Sequence, residues 1–278
     1  MSEYQYYEFR AVDRPLGGRE MAALRRVSSR AEITPTSFVN TYDFGDFRGD
    51  PDRWMAKYFD AFVYVANWGS RELMLRVPRP CLDPRLARRY LCGDSASVRA
   101  KQAFAVLRFR SDSESDEEFD DGSRWLDRLL PLREEIAGGD LRALYLGWLF
   151  CVEQGELDEY APEPSVPPGL SRLRGGLGVL ADFLRIDPGL IRVAARRAPK
   201  EDPRGERARL DQFVARLSKD ERAAWLRRLA PEEAHQARLE LRRKMRAASE
   251  TPRPRASLPP ARTVGELLAA AERRRGST

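Results

Sequence analysis

Histidine is almost absent from these 278 residues, and His235 is the only one. That argues against most His-dependent acid–base catalysis and against His-rich metal sites, because imidazole is the side chain that changes charge near neutral pH and the commonest metal ligand. Cysteine is scarce as well. Cys81, Cys92 and Cys151 are odd in number and never fall as C-x-x-C, which argues against a disulfide framework or a zinc knuckle. No apolar run is long enough to cross a bilayer: the densest, residues 141–152, is too short and contains Arg142. The opening Met1-Ser2-Glu3-Tyr4 has neither a basic n-region nor an apolar h-region. The expected compartment is therefore a reducing cytoplasm, with no membrane contact and with Cys151 packed as a small hydrophobe.

What is present is an apolar share slightly below the globular average, 42%, beside 33% charged residues. The net charge of +6 conceals a split. Residues 1–160 carry 23 basic and 28 acidic side chains, whereas residues 161–278 carry 26 and 15. The second part alone accounts for the basic character, and most of that charge is arginine.

Periodicity predicts an α+β fold: an N-terminal mixed sheet of about four strands with helices, followed by an all-helical C-terminal region. Strands are expected over residues 4–9, 33–44, around Leu73-x-Leu75-x-Val77, and around Ala105-x-Leu107-x-Phe109. Gly17-Gly18 precedes a helical pattern through Met21, Leu24 and Val27. Asp50-Pro51 signals a second helix start, with Trp54, Met55, Tyr58, Phe59, Phe62, Val63 and Ala66 at helical spacing. A short helix is expected over residues 84–91. Residues 111–121, with seven acids in eleven positions, should form a solvated loop. Trp125, Leu126, Leu129 and Leu130 then make a stripe kinked or ended at Pro131, and residues 141–152 form the best candidate for a central buried helix.

The Pro-rich stretch 158–169 suggests a connector. It divides the chain into an α+β domain (1–157), a basic helical domain (170–248) and a flexible tail with a possible last helix (249–278). In the helical part, Leu173, Leu177, Leu180, Phe183 and Leu184 share a face, and Asp187-Pro188 opens a helix. Leu210, Phe213, Val214 and Leu217 form a third stripe. Ser218-Lys219-Asp220-Glu221 has capping-box spacing ahead of Trp225, Leu226 and Leu229.

Several stretches resemble a family of uncharacterised bacterial proteins. They are YYEFRAVDRPL (6–16), ITPTSFVNTYDFGDFRGDP (33–51), YFDAFVYVANWG (58–69), GDLRALYLGWL (139–149) and VPPGL…LADFLRIDP (166–188), together about half of the chain. The resemblance implies a bacterial cytoplasmic origin and a shared fold; it carries no activity, cofactor or catalytic residue.

Candidate sites are few. Asp43-Phe44-Gly45 copies the magnesium motif of protein kinases, but no G-x-G-x-x-G loop precedes it, and His235-Gln236 cannot supply a His-Arg-Asp loop. Asp43, Asp46 and Asp50, near Asn40, could hold Mg²⁺ or Ca²⁺ for phosphoester chemistry. The competing reading makes Asp50 a helix N-cap and the others turn residues. Thr34, Thr36, Ser37 and Thr41 offer hydroxyls without a base, Lys57 and Lys101 being the only early lysines. Gly175-Gly176-x-Gly178 follows a helical start rather than a strand, so it reads as helix packing and not as a phosphate loop.

The most informative feature is a basic helix near the end. Ala234, Ala237, Leu241, Met245 and Ala248 form an apolar stripe, while His235, Arg238, Arg242 and Arg246 form another line, with Arg243 on its flank. Such a helix can dock on its apolar side and offer guanidinium groups to phosphates or to an acidic protein surface. The sequence therefore favours a non-enzymatic cytoplasmic binding or adaptor protein without a cofactor. Its partner is a protein or a nucleic acid, with Arg238, Arg242, Arg243 and Arg246 as candidate contacts and homo-oligomerisation left open. A metal-dependent phosphoesterase built on Asp43, Asp46 and Asp50 is the alternative.

Overall fold

A computed structural model describes residues 3–112, 119–200, 203–228, 237, 240–241, 244–245 and 261–275. The strands are β1 Gln5–Arg10, β2 Glu32–Ile33, β3 Ser37–Tyr42, β4 Ala61–Ala66, β5 Arg71–Pro78, β6 Ala96–Ala100 and β7 Phe104–Ser111. The helices are α1 Gly18–Val27, α2 Pro51–Lys57, α3 Pro84–Ala87, α4 Leu126–Leu129, α5 Pro131–Ala137, α6 Arg142–Glu153, α7 Gly176–Leu184, α8 Pro188–Ala195, α9 Pro203–Arg216, α10 Lys219–Arg228 and α11 Val264–Arg275. The fold is mixed α+β, and its sheet has seven strands in the order β2-β3-β1-β4-β5-β7-β6 instead of the expected four. Every pairing is antiparallel.

The extra strands have identifiable causes. Residues 33–44 do not run straight: Thr34 accepts from the amide of Thr36 and its hydroxyl meets that of Ser37 at 2.7 Å, turning the chain between β2 and β3. The helix begun at Asp50 stops at Lys57, and Ala61–Ala66 becomes β4, a central strand buried on both faces. A run that is apolar all round fits both the helical and the strand period, and its aromatic and β-branched residues settle it as a strand. Asp60 fixes the switch, since its amide donates to the Arg10 carbonyl at 2.8 Å and starts the β1–β4 ladder. Strand β6 carries no usable signal: it is five residues long, lies at the sheet edge, and only Ala96 is buried in it.

Strand alternation assigns the two faces. Tyr6, Val63, Val65, Leu73, Leu75, Leu107 and Phe109 point to one side, where they pack against helices α4 to α8 and α11. Phe9, Phe38, Phe62 and Met74 point to the other, under Leu24 of α1 and Trp54 and Met55 of α2. Helix α6 is buried along nearly its whole length, as its all-round apolar composition predicts. Gly176 opens α7 directly against Leu132 of α5, so the glycine serves close packing, in line with its sequence reading.

One core therefore spans the Pro-rich stretch. Leu177, Leu180, Phe183, Leu190 and Ala194 belong to the same buried cluster as the sheet face and α6. Residues 158–169 do not separate two cores: Pro164 and Pro167 are buried, and Tyr90 donates to the Ser165 carbonyl at 2.9 Å. The tail expected from residue 249 ends in a docked helix, with Val264, Leu267 and Ala271 of α11 buried against that cluster. After residue 111 the regular elements among the described residues are all helices, joined by turns and loops, with one β-bridge between Pro162 and Thr263.

A chain ending at residue 157 is accordingly expected to aggregate and to lose its cooperative transition, because the surface covered by α7, α8 and α11 would be exposed apolar area. Size-exclusion chromatography and a thermal melt check this. A monomeric fragment with a single sharp transition would contradict a shared core.

The helices α9 and α10 are mostly exposed. Phe213 and Trp225 are buried, whereas Leu210, Val214 and Leu226 face outward, so the expected inward stripes shrink to single anchors. The capping box forms as predicted, with the Ser218 amide donating to Glu221 and the Glu221 amide to the Ser218 hydroxyl. No helix among the described residues is long and apolar enough to cross a membrane.

Candidate functional site

The three aspartates of the possible metal site are used separately. Asp50 accepts from the Arg53 amide at 3.1 Å and caps α2, the structural role anticipated for it. Asp46 receives the Gln5 side-chain amide at 3.4 Å, and Asp43 is exposed in the bend that follows β3. Among the described residues, no three His, Cys, Asp or Glu side chains gather as metal ligands. Arg238, Arg242, Arg243 and Arg246 lie outside the described residues.

The acidic stretch is anchored at both ends. Asp112 pairs with Arg110 at 2.8 Å. Asp120 is partly buried rather than fully solvated: it pairs with Arg71 at 3.3 Å and accepts from the Trp125 indole at 2.7 Å and the Gly122 amide at 3.0 Å. Arg71 in turn lies over Trp125, so this carboxylate ties β5 to the start of the helical layer. Residues 113–118 lie outside the described residues.

Two further buried networks escaped the sequence reading. Asp60, Arg76, Arg133 and Asp13 form one, and Tyr145, Glu163 and Arg262 the other. Burial alone would raise the Asp60 carboxyl; Arg76, the amides of Asp13 and Val12, and Arg133 outweigh it and hold the group below the ordinary carboxylate range. Both networks match donors to acceptors inside the protein, as a structural cross-tie does. Arg133 had a usable signal: it lies on the apolar face of α5, between Leu129 and Ala137 at helical spacing. An arginine on such a face implies a buried acid elsewhere.

The thiols are poorly placed for nucleophilic work. Burial pushes the Cys151 thiol up to about 12, with the Glu156 carboxylate adding to the effect, and burial also raises Cys92. A thiolate is the reactive species, so Cys151 should resist alkylation at pH 8 in the native protein and react only on unfolding. Mass spectrometry after a brief iodoacetamide pulse checks this; rapid native labelling of Cys151 would restore it as a candidate nucleophile.

The second sheet face bears a polar strip. The hydroxyls of Tyr7 and Tyr64 both donate to Gln5 Oε1, at 2.7 and 3.4 Å, and Gln5 Nε2 donates to the Gly45 carbonyl at 3.1 Å. Beside them Arg108 pairs with Glu72 at 2.9 Å and with Asp52 at 2.8 Å. Burial raises the Glu72 carboxyl against the pull of Arg108 and Arg110. Opposite charges are balanced within the strip, which leaves it without an excess of either sign to recruit a ligand.

A surface with such an excess lies on the helical layer. Helices α7 and α8 are joined by a three-residue turn in which Arg185 adopts a left-handed conformation (φ 56°) and donates to the Gly69 carbonyl at 3.1 Å. Between the two helices and the turn at Leu170 and Leu173 runs an open apolar groove of about 340 Å³. Arg192 lines it, and Arg172, Arg174 and Arg196 are exposed on the adjoining positions. None of these guanidinium groups forms an ion pair or side-chain hydrogen bond among the described residues, and Asp182 is the one acid on the groove wall. No family model matches the chain, and neither a curated protein nor a solved structure matches it.

Proposed function

We propose that this is a non-enzymatic binding or adaptor protein whose contact surface lies in the basic helical half of the chain. The observation that carries the reading is the apolar groove beside α7 and α8, with Arg192 on its wall and Arg172, Arg174 and Arg196 exposed nearby in sequence, none of them paired among the described residues. The Asp60 and Glu163 networks pair their buried charges within the protein, so a group of guanidiniums without such partners beside apolar surface fits a contact made with another molecule. The partner is a protein or a nucleic acid.

Site-specific photo-crosslinking in the native host tests the reading, with the photoreactive residue placed at Leu173 in the groove or at Ser97 on the opposite sheet face. A discrete adduct from position 173 and none from position 97 is expected. Equal, diffuse adducts from both positions, or none from 173, would overturn it.

A further inference from the structure

We infer that the α7–α8 groove is a docking site for an acidic amphipathic helix of a partner protein, an assignment that rests on reading this chain as a binding protein. The walls have the spacing that such docking needs. Gly178, Ala181 and Asp182 come from one side of α7, and Pro188, Ile191, Arg192 and Ala195 from one side of α8. These are positions i, i+3, i+4 and i, i+3, i+4, i+7, so each wall is a single helix face. Gly178, Ala181 and Ala195 are small, and their missing bulk is what leaves the hollow open. A visiting helix would place apolar anchors at i, i+3 or i+4, and i+7 into it.

Charge selects the kind of helix. From residue 170 to residue 200 the chain carries Arg172, Arg174, Arg185, Arg192, Arg196, Arg197 and Lys200 against Asp182 and Asp187. Asp187 is committed to capping α8, where it accepts from the Gly189 amide at 2.8 Å. Arg185 binds the Gly69 carbonyl, and Arg197 approaches the buried Glu163 at 3.8 Å. That leaves Arg192 on the groove wall, with Asp182, and Arg172, Arg174 and Arg196 exposed next in sequence to residues at its edge. With the local excess of arginine, glutamates flanking the anchors of a visiting helix would be attracted, and a basic helix would be repelled.

The same connectivity, helix, three-residue turn, helix, is that of DNA-binding helix-turn-helix units, whose second helix protrudes into the major groove. Here α8 is packed against α6 and α11, with Leu190, Val193 and Ala194 buried. Its open side is concave and apolar and shares the groove with Asp182, which suits side chains rather than a phosphate backbone.

The test uses the full chain and a synthetic acetylated helical peptide of about five turns, with leucines at i, i+3, i+7 and glutamates on both flanks. A lysine-flanked counterpart and generic duplex DNA are run beside it. Fluorescence anisotropy should show the glutamate peptide binding, the lysine peptide not, and affinity falling severalfold from about 50 to about 200 mM salt as screening grows. Arg172→Glu with Arg192→Glu should weaken binding by about tenfold or more. A Cβ at position 178 meets only ordinary contact with the Leu173 carbonyl, so Gly178→Leu should fill the hollow and abolish binding with the melting temperature kept.

Equal binding of the lysine peptide, binding indifferent to Gly178→Leu, or DNA bound in preference to the peptide would each overturn the inference. So would self-association that Gly178→Leu removes, which would make a second copy the occupant. Failure of the peptide together with a discrete protein adduct at position 173 would overturn the helix assignment alone. Failure of both would remove the binding-protein reading with it.

Discussion

Replacing Asp60 by alanine is expected to cost about 3–5 kcal/mol, the usual penalty for removing one member of a buried ion network. The carboxylate sits at the junction of β1, β4 and β5 and is almost wholly buried. Its Oδ2 accepts from the amides of Val12 at 2.7 Å and Asp13 at 3.0 Å; its Oδ1 accepts from Arg76 Nε at 2.9 Å and Nη2 at 2.6 Å. Arg133 approaches the same oxygen at 3.6 Å while donating to the Arg76 carbonyl and to Asp13, both at 2.6 Å. Alanine at position 60 strands two amides and leaves two guanidiniums short of their acid. Arg133→Met should cost less, about 1–3 kcal/mol, since Asp60 keeps Arg76 and both amides. Against a total stability of about 5–15 kcal/mol, the first change threatens folding and the second does not. Urea melts of the two variants check the order, and a reversed order would place the hub at Arg133.

Acid should act through the same carboxylate. Its folded-state value lies below the unfolded one, so the stabilisation is complete above the unfolded value, about pH 4, and is lost as pH falls through the folded value. The acid limb of a stability–pH profile should therefore be shallower for Asp60→Asn than for the native chain. Identical limbs would mean that other carboxylates carry acid unfolding.

Several elements were legible because one local rule decided them. The strands β5 and β7 carry Leu73, Leu75 and Val77, and Ala105, Leu107 and Phe109, at alternate positions, α6 is apolar all round, and Asp50-Pro51, Asp187-Pro188 and Ser218-x-x-Glu221 begin helices where their side chains can take up free amides. The expected helix through residues 58–66 failed because a strand buried on both faces has no period of its own to display. The Pro-rich stretch misled because proline content reports local stiffness and says nothing of burial; Pro164 and Pro167 lie against the core. The groove was invisible for a related reason. Leu173 was read with Leu177, Leu180, Phe183 and Leu184 as one inward stripe, and only the tertiary placement of α8 makes Gly178, Ala181 and Ala195 a hollow. Arginines exposed in sequence look alike until their partners are counted in space. One missed signal was plain: Thr263-x-x-Glu266 has the capping-box spacing recognised at Ser218, and both of its hydrogen bonds form at the start of α11.

That last helix supports the second large expected effect. A chain ending at residue 260 should be destabilised by several kcal/mol, enough to lower its urea midpoint severely or to abolish a cooperative transition. Two terms add. Val264 and Leu267 are almost fully buried, and each such side chain contributes roughly 1.5–3 kcal/mol. Arg262 grips the buried Glu163 through two contacts, at 2.7 and 3.1 Å, while the Tyr145 hydroxyl donates to the same carboxylate. Removing the arginine leaves a buried acid with its main counter-charge gone, a penalty again of about 3–5 kcal/mol. The backbone adds a β-like clasp: Glu163 donates to the Arg262 carbonyl at 2.7 Å and Val264 to the Ala161 carbonyl at 3.1 Å. Arg262→Met separates the terms, because it removes the charge and keeps the helix; it should recover part of the loss seen on truncation. An unchanged midpoint for the truncated chain would mean that residues 261–275 are dispensable to the core, and the Pro-rich stretch they clasp would again read as a linker.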